Sequence, residues 1–301
     1  MRIDVVICTW NRCRLLGPTL ERLREIDVPP NVDWQVIVVD NNCTDNTAAL
    51  LRSFAGRLPL RTIFESRAGL SNARNRAVAE ATGHYLVWTD DDVLVDRRWL
   101  AAYADAFERW PAAAFFGGPV EPWFEGTPPR WLAEHWRCVS PAFAVRELGD
   151  APFPFDGSQF PYGANCAFRL DVQRRYPYDP SLGRRPGASV SGEETQVMRQ
   201  MLADGLTGWW VPDARVRHFI PRHRQSLRYL RQIFGGPGER RTRALPTSNA
   251  PRLFGRPRWL WRRALAAEAQ FWCVRATSGP EVWLPALIET ARAWRALRDT
   301  P

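Results

Sequence analysis

Four successive strand–loop–helix patterns fill residues 2–109, and few folds accept that arrangement. Residues 2–8 are a β-branched run, followed by Thr9-Trp-Asn-Arg12 and then Leu15, Leu16, Leu20, Leu23 and Ile26 at helical spacing. Val32 to Asp40 repeats the theme around Val36-Ile-Val-Val39, and the polar stretch Asp40-Asn-Asn-Cys-Thr-Asp45 caps a helix over Ala48 to Phe54. The third unit runs Leu60 to Phe64, Gly69 and a helix over Asn72 to Ala81. The fourth runs His84 to Trp88, Thr89-Asp-Asp-Asp92 and a helix over Arg97 to Arg109. Strands joined through helices run parallel with right-handed crossovers, so their C-terminal ends open on one edge. The expected fold class is therefore α/β: a mostly parallel, Rossmann-like sheet flanked by helices. Open sheets of this kind bind ligands at that edge, which gives weight to the polar loops after the strands.

Beyond residue 119 the alternation stops. Pro119 to Pro161 is rich in Pro, Trp and Phe and reads as loops and short helices wrapping over the sheet. Regular structure resumes with Tyr162 to Arg169, a helix over Glu193 to Asp204, and short strands near Thr207 to Val211 and Arg215 to Phe219. Helices are expected near Gln225 to Phe234, Trp259 to Thr277 and Pro280 to Arg298. Between them, Gly235 to Pro257 is turn-forming, Arg-dense and without apolar periodicity, and is expected to be mobile.

Charge narrows the partners. The chain has 41 basic residues, all of them Arg, against 32 acidic ones, for a net charge of +9. Arg in place of Lys throughout, with abundant Ala, Gly and Pro, points to a GC-rich coding sequence rather than to nucleic-acid binding, and no nucleic-acid-reading motif is present. The excess concentrates late, at 215–243 and 252–263, so a basic C-terminal third facing phosphate is the reading to carry. No apolar run approaches the length of a membrane span, and no secretory leader pattern opens the chain; a cytoplasmic location is expected. The six cysteines show no C-x-x-C pairing, and Cys8 and Cys166 lie in apolar runs that suit buried, reduced thiols.

Several residues carry chemistry. Asp90, Asp91 and Asp92 follow an apolar strand, where mutual repulsion needs a cation or a basic partner; they suit a divalent ion, or else an acidic turn capping the next helix. Asp40-Asn41-Asn42 is either an Asx turn or an acceptor for a base edge. Arg67, Arg74 and Arg76 flank the third loop, where guanidinium groups can meet phosphates. Glu193-Glu194 opens a helix after the Gly-rich 186–192 loop; it either complements the helix dipole or, desolvated, supplies a general base. His218 at a strand end is either packed or a ligand, and His223 has a weaker claim. Trp123, Phe124, Trp131 and Trp136 cluster in the irregular segment, where their rings either stack on a ligand or pack the core.

Cys8-Thr-Trp-Asn-Arg12, Val38-Val-Asp-Asn-Asn-Cys-Thr-Asp45, Gly69-Leu-Ser-Asn-Ala-Arg-Asn75, Trp88-Thr-Asp-Asp-Asp92, Gly163-Ala-Asn165 and Gly192-Glu-Glu194 occur in the order seen in family-2 glycosyltransferases of the GT-A fold, which this chain resembles over residues 1–220. The resemblance implies a nucleotide-binding half at 1–119, an acceptor-binding half at 120–220 and a helical, Arg-rich extension at 221–301. It implies that Thr9 and Asp40 line the nucleobase pocket, with Asn11, Arg12 and Asn42 in the same loops. Gly69 and Arg74 would lie against the nucleoside and its phosphates, and Asp90 would reach the ribose, with Asp91 beside it. Asp92 and His218 would hold a divalent cation, Mn²⁺ or Mg²⁺, on the diphosphate. Glu194 takes the position of the catalytic base, with Glu193 the alternative, since the usual Glu-Asp pair is Glu-Glu here. Trp123, Gly163 and Asn165 would face the acceptor sugar. The implied reaction is inverting sugar transfer from a nucleotide-diphosphate donor, UDP by family frequency, to a saccharide or lipid-linked saccharide, as in envelope polysaccharide assembly. A non-catalytic GT-A-like module binding nucleotide-sugar or glycan is the alternative; an intact acidic set argues against it. The Trp259-Leu-Trp-Arg-Arg263 segment is set either for contact with an anionic membrane surface or for helix packing and dimerisation.

Overall fold

The computed structural model describes residues 1–185, 188–190, 192–236 and 250–300. The expected units appear as β1 (Arg2–Thr9), α1 (Cys13–Leu23), β2 (Asp33–Asp40), α2 (Thr47–Ser53), β3 (Leu60–Phe64), α3 (Leu70–Glu80), β4 (Tyr85–Asp90), the short β5 (Val93–Val95) and α4 (Trp99–Arg109). Then come β6 (Phe115–Gly117), β7 (Val120–Phe124), α5 (Arg130–Glu134), α6 (Trp136–Val139), β8 (Asn165–Arg169) and α7 (Leu170–Gln173). They are followed by β9 (Gly183–Arg185), β10 (Ala188–Val190), α8 (Glu193–Ala203), β11 (Gly208–Trp210) and β12 (Val216–Ile220).

Seven strands form the main sheet in the order β11-β6-β8-β4-β1-β2-β3. The pairs β1–β2, β1–β4, β2–β3 and β6–β11 are parallel, whereas β8 runs antiparallel between β4 and β6. Period-two alternation explains why the strands read as unbroken apolar runs: both faces are covered. Ile3, Val5 and Ile7 of β1 join Leu16, Leu20, Trp99 and Tyr103 on one side. Val6 joins Ala73, Ala77 and Met198 on the other. Each large side chain so buried contributes about 1.5–3 kcal/mol. Asp4 lies fully buried within β1 because its carboxylate accepts from the backbone N–H groups of Thr82 and Gly83, at 2.7 and 2.8 Å, and from Gln35 Nε2. That fixes the entry into β4 and so the register of its C-terminal acids.

The chain forms two compact units. One comprises Met1–Trp123 with Val145–Phe219, the other Phe124–Ala144 with Ile220–Pro301. Residues 124–144, counted above with the 120–220 stretch, thus pack with the C-terminal helices. The reason is aromatic: Phe124 meets Trp136, Phe143 meets Tyr229, and Trp131 meets Trp283. The second unit contains α9 (Leu227–Gly235), the hairpin of β13 (Arg252–Leu253) and β14 (Arg256–Pro257), α10 (Arg258–Thr277) and α11 (Pro280–Asp299). Leu260, Ala264 and Ala267 of α10 pack on Ala293, Ala296 and Leu297 of α11. Of the stretch expected to be mobile, 237–249 lies outside the described residues, as do 186, 187 and 191 of the Gly-rich loop. Among the described residues no helix is long and apolar enough to cross a membrane.

Candidate active site

The strand ends of β1, β2 and β4 meet at one edge, as parallel topology requires. Asp91 and Asp92 are buried and Asp90 is partly so. Asp91 accepts from Thr9 Oγ1 at 2.8 Å and from Arg12 Nη1 at 2.7 Å. The other Arg12 nitrogen, Nη2, lies 2.5 Å from Asp92 Oδ2. Burial pushes the Asp91 carboxyl up to about 7, against the opposing pull of Arg12. For Asp92 burial acts in the same direction, but His218 and Arg12 outweigh it and hold that carboxyl below its usual range. Asp90 is raised by burial and by repulsion from Asp92.

His218 arrives from β12, which pairs antiparallel with β5 so that His218 lies opposite Val93. Phe219 N–H donates to the Asp92 carbonyl at 2.9 Å and locks that approach. Donor atoms of Asp90, Asp92 and His218 all lie within 4.8 Å of one another. His218 Nε2 is 3.4 Å from Asp92 Oδ1, and neither Asp92 Oδ1 nor His218 Nδ1 has a hydrogen-bond partner among the described residues. Buried polar atoms normally find partners. Two carboxylates and one imidazole converging with unsatisfied atoms fit a divalent cation of the Mg²⁺–Mn²⁺ type, the nitrogen favouring Mn²⁺. The Asp90 carboxylate thus lies where it could share such a cation with Asp92 and His218.

A second acidic pair opens α8. Gly192, at φ 110° and ψ 8°, turns the chain into the helix with a left-handed conformation. Arg74 from α3 lies buried beneath both acids, its Nη1 3.2 Å from Glu193 Oε1 and 3.4 Å from Glu194 Oε2. The Trp88 and Tyr178 rings flank its guanidinium at 5.7 and 5.3 Å. Glu193 is almost fully buried, and burial pushes its carboxyl up to about 7 although Arg74 pulls it down. Glu194 retains 15% side-chain exposure and accepts from the Gly163 N–H at 3.2 Å. Of the two, Glu194 is the carboxylate a substrate can reach.

One expectation changes in the light of these contacts. Asn165 does not face an acceptor: it is fully buried at the start of β8, where its Oδ1 accepts from Trp99 Nε1 and Tyr103 Oη and its Nδ2 donates to the carbonyls of Pro119 and Ala214. All four hydrogen-bonding sites of the amide are used. Arg74 commits its charge to Glu193 and Glu194. Thr9 is buried and gives its hydroxyl hydrogen to Asp91.

The remaining loop residues brace one another. Asp40 Oδ1 accepts from Cys43 N–H, the Asx turn weighed above. Asn11, at φ 54°, accepts from the N–H groups of Thr44 and Asp45 and staples the first loop to the second. Asn42, at φ 65°, donates to the carbonyls of Glu65 and Ser66. Gly69, at φ 125°, opens α3 and donates to Asn41 Oδ1. Asn41, the middle residue of the Asp40-Asn41-Asn42 run, is buried and also donates to the carbonyls of Glu65 and Arg67, and so shapes the third loop. Its signal was the doubled Asn after a strand. Gly163 keeps its place by size, for a Cβ there would come within 2.2 Å of Arg74 Nη2. Trp123 remains partly exposed with its ring edge-on to Phe219 at 4.9 Å. Cys8 is a partly buried thiol pushed up to about 12 by desolvation, and the buried Cys166 is raised further for the same reason.

Residues 4–176 match the family model described as glycosyl transferase family 2. The chain belongs to glycosyl transferase family 2. Among curated members, the succinoglycan biosynthesis protein ExoM of Rhizobium meliloti is 28% identical over 92% of this chain and 84% of its own length. Validoxylamine A glucosyltransferase of Streptomyces hygroscopicus subsp. limoneus is 30% identical over 79% of this chain, a match spanning about half (52%) of that relative. The solved mannosyltransferase PcManGT of Pyrobaculum calidifontis, in complex with GDP-Man and Mn²⁺, superposes with a TM-score of 0.53 at 22% identity, covering 98% of this chain and 84% of that one. At that identity the likeness concerns the fold, a GT-A-like sheet with C-terminal helices.

Proposed function

We propose that this family-2 glycosyltransferase moves a sugar, with inversion, from a nucleotide-diphosphate sugar to a hydroxyl of a saccharide or lipid-linked saccharide, in polysaccharide assembly. One observation carries the reading: at the start of α8 a carboxylate with an open side, Glu194, shares a buried arginine with a second, almost fully buried one, Glu193. Glu194 would take the acceptor hydroxyl proton. The oxygen then forms its bond to the anomeric carbon as the carbon–oxygen bond to the diphosphate breaks on the opposite face, the electron pair leaving with the diphosphate. One displacement needs no covalent enzyme intermediate and inverts the configuration. Arg74 holds Glu194 in place, and Glu193, raised to about 7, limits the negative charge at the pair. Asp90, Asp92 and His218 would hold the divalent cation, whose contribution when bound is to neutralise charge on the leaving diphosphate. The donor is expected to be a UDP-sugar, and the GDP-Man of the solved neighbour makes GDP the competing base. ExoM, by its name, places a relative in succinoglycan biosynthesis, which supports a polysaccharide setting.

Two variants test the assignment. Glu194→Gln should lower transfer by about 10²–10⁴-fold while leaving nucleotide binding in place. Asp92→Asn should lower both transfer and metal-dependent nucleotide binding. Near-normal turnover in either variant would remove that residue from its role, and nucleotide binding without any turnover in the parent protein would favour a binding module.

A further inference from the structure

Outside the site, the second unit carries an apolar surface with a strong positive surround. The β13–β14 hairpin turns through Phe254 at φ 49° and Gly255 at φ 74°, a left-handed turn that pushes its tip outward. Phe254 is 83% exposed and Leu253 44%. The tip is not loose: Trp261 Nε1 donates to the Leu253 carbonyl at 2.9 Å, and its ring lies edge-on to Phe254. From there α10 runs with one face on α11 and the opposite face bare. Leu265 and Trp272 are 57% and 58% exposed, with Ala266, Ala269 and Cys273 exposed along the same side. That strip is set among the exposed Arg262, Arg263 and Arg275, an apolar surface bordered by positive charge.

Charge selects the cover. Residues 250–279 hold six arginines and one acid, Glu268, which is already bound by Arg231 and the Trp272 and Trp294 indoles. Among the described residues no carboxylate pairs with Arg252, Arg256, Arg258 or Arg262. A second copy docked face to face would set these arginines against their own kind, whereas anionic headgroups neutralise them and accept the apolar tip. We propose that the C-terminal unit binds an anionic lipid bilayer surface, with Leu253 and Phe254 entering the headgroup boundary, α10 lying along it and the arginines on phosphates.

The test is co-sedimentation of the full chain with phosphatidylcholine vesicles with and without phosphatidylglycerol. Binding should require phosphatidylglycerol, weaken as salt rises, and fall several-fold in the Leu253→Ser/Phe254→Ser double variant. Arg258→Gln and Arg262→Gln should each weaken it about fivefold. Equal binding to neutral vesicles, no binding to either, or wild-type binding by all variants would overturn the proposal. So would light scattering showing that the double variant halves the mass of a dimer, which would assign the surface to a second copy. The readout is binding, so it stands or falls independently of sugar transfer.

Discussion

Arg74 and Gly163 show how single residues set the geometry around Glu194. The glycine leaves room for the guanidinium, its N–H holds Glu194, and Arg74 in turn spans both glutamates. Gly163→Ala should therefore displace Arg74 and lower turnover by about 100-fold with little change in donor KM, as steady-state kinetics would show; unchanged turnover would mean that Arg74 can give way. Glu193 makes a second, pH-dependent prediction. The folded protein keeps its proton up to about 7, the unfolded chain only to the ordinary 4.5. The folded state binds more protons in that interval, so Glu193's stabilisation is complete below pH 4.5 and is lost as pH rises through 7. Glu193→Gln should flatten the melting temperature against pH across that window, an effect of at most about 3 kcal/mol. Asp91, also raised to about 7, leaves a residual slope of the same sign.

Elements bring together what single residues cannot. The acids after β4 were legible as a site because an apolar strand ended in three carboxylates. Which of them share a space was not legible, because it depends on β12, which arrives more than a hundred residues later and lays His218 beside Asp92. Asn165 is the counterpart error. Its place in a familiar motif suggested substrate contact, yet it ties β8 to α4 and to the Pro119 and Ala214 carbonyls. Asn165→Leu should destabilise the fold by at least about 3 kcal/mol in urea denaturation, since several buried partners lose their hydrogen bonds together. Insensitivity to that change would show that water replaces the amide.

Ligand binding reads out on the whole molecule, because anything that binds only the native state raises its stability by mass action. UDP with Mn²⁺ should raise the melting temperature, by about 2.7 kcal/mol of added stability at a hundredfold excess over Kd. EDTA or Asp92→Asn should abolish the shift, and GDP, dTDP and CDP should give less. A larger shift with GDP would transfer the donor assignment to that base, and none with any nucleotide would count against the proposed site.

By itself the sequence determined the parallel α/β framework, because four apolar strands alternating with amphipathic helices bury both faces of a sheet in only one way. It also determined which edge holds the site, since parallel strands end together. Tertiary structure decided the partners. Arg74 finds its two glutamates because a buried guanidinium requires carboxylates within reach. Thr9 turns inward because Asp91 is buried and needs donors. Residues 124–144 join the C-terminal helices because their aromatic rings find matching rings there. Each of these choices satisfies charge or shape between residues far apart in the chain, which local sequence pattern does not encode.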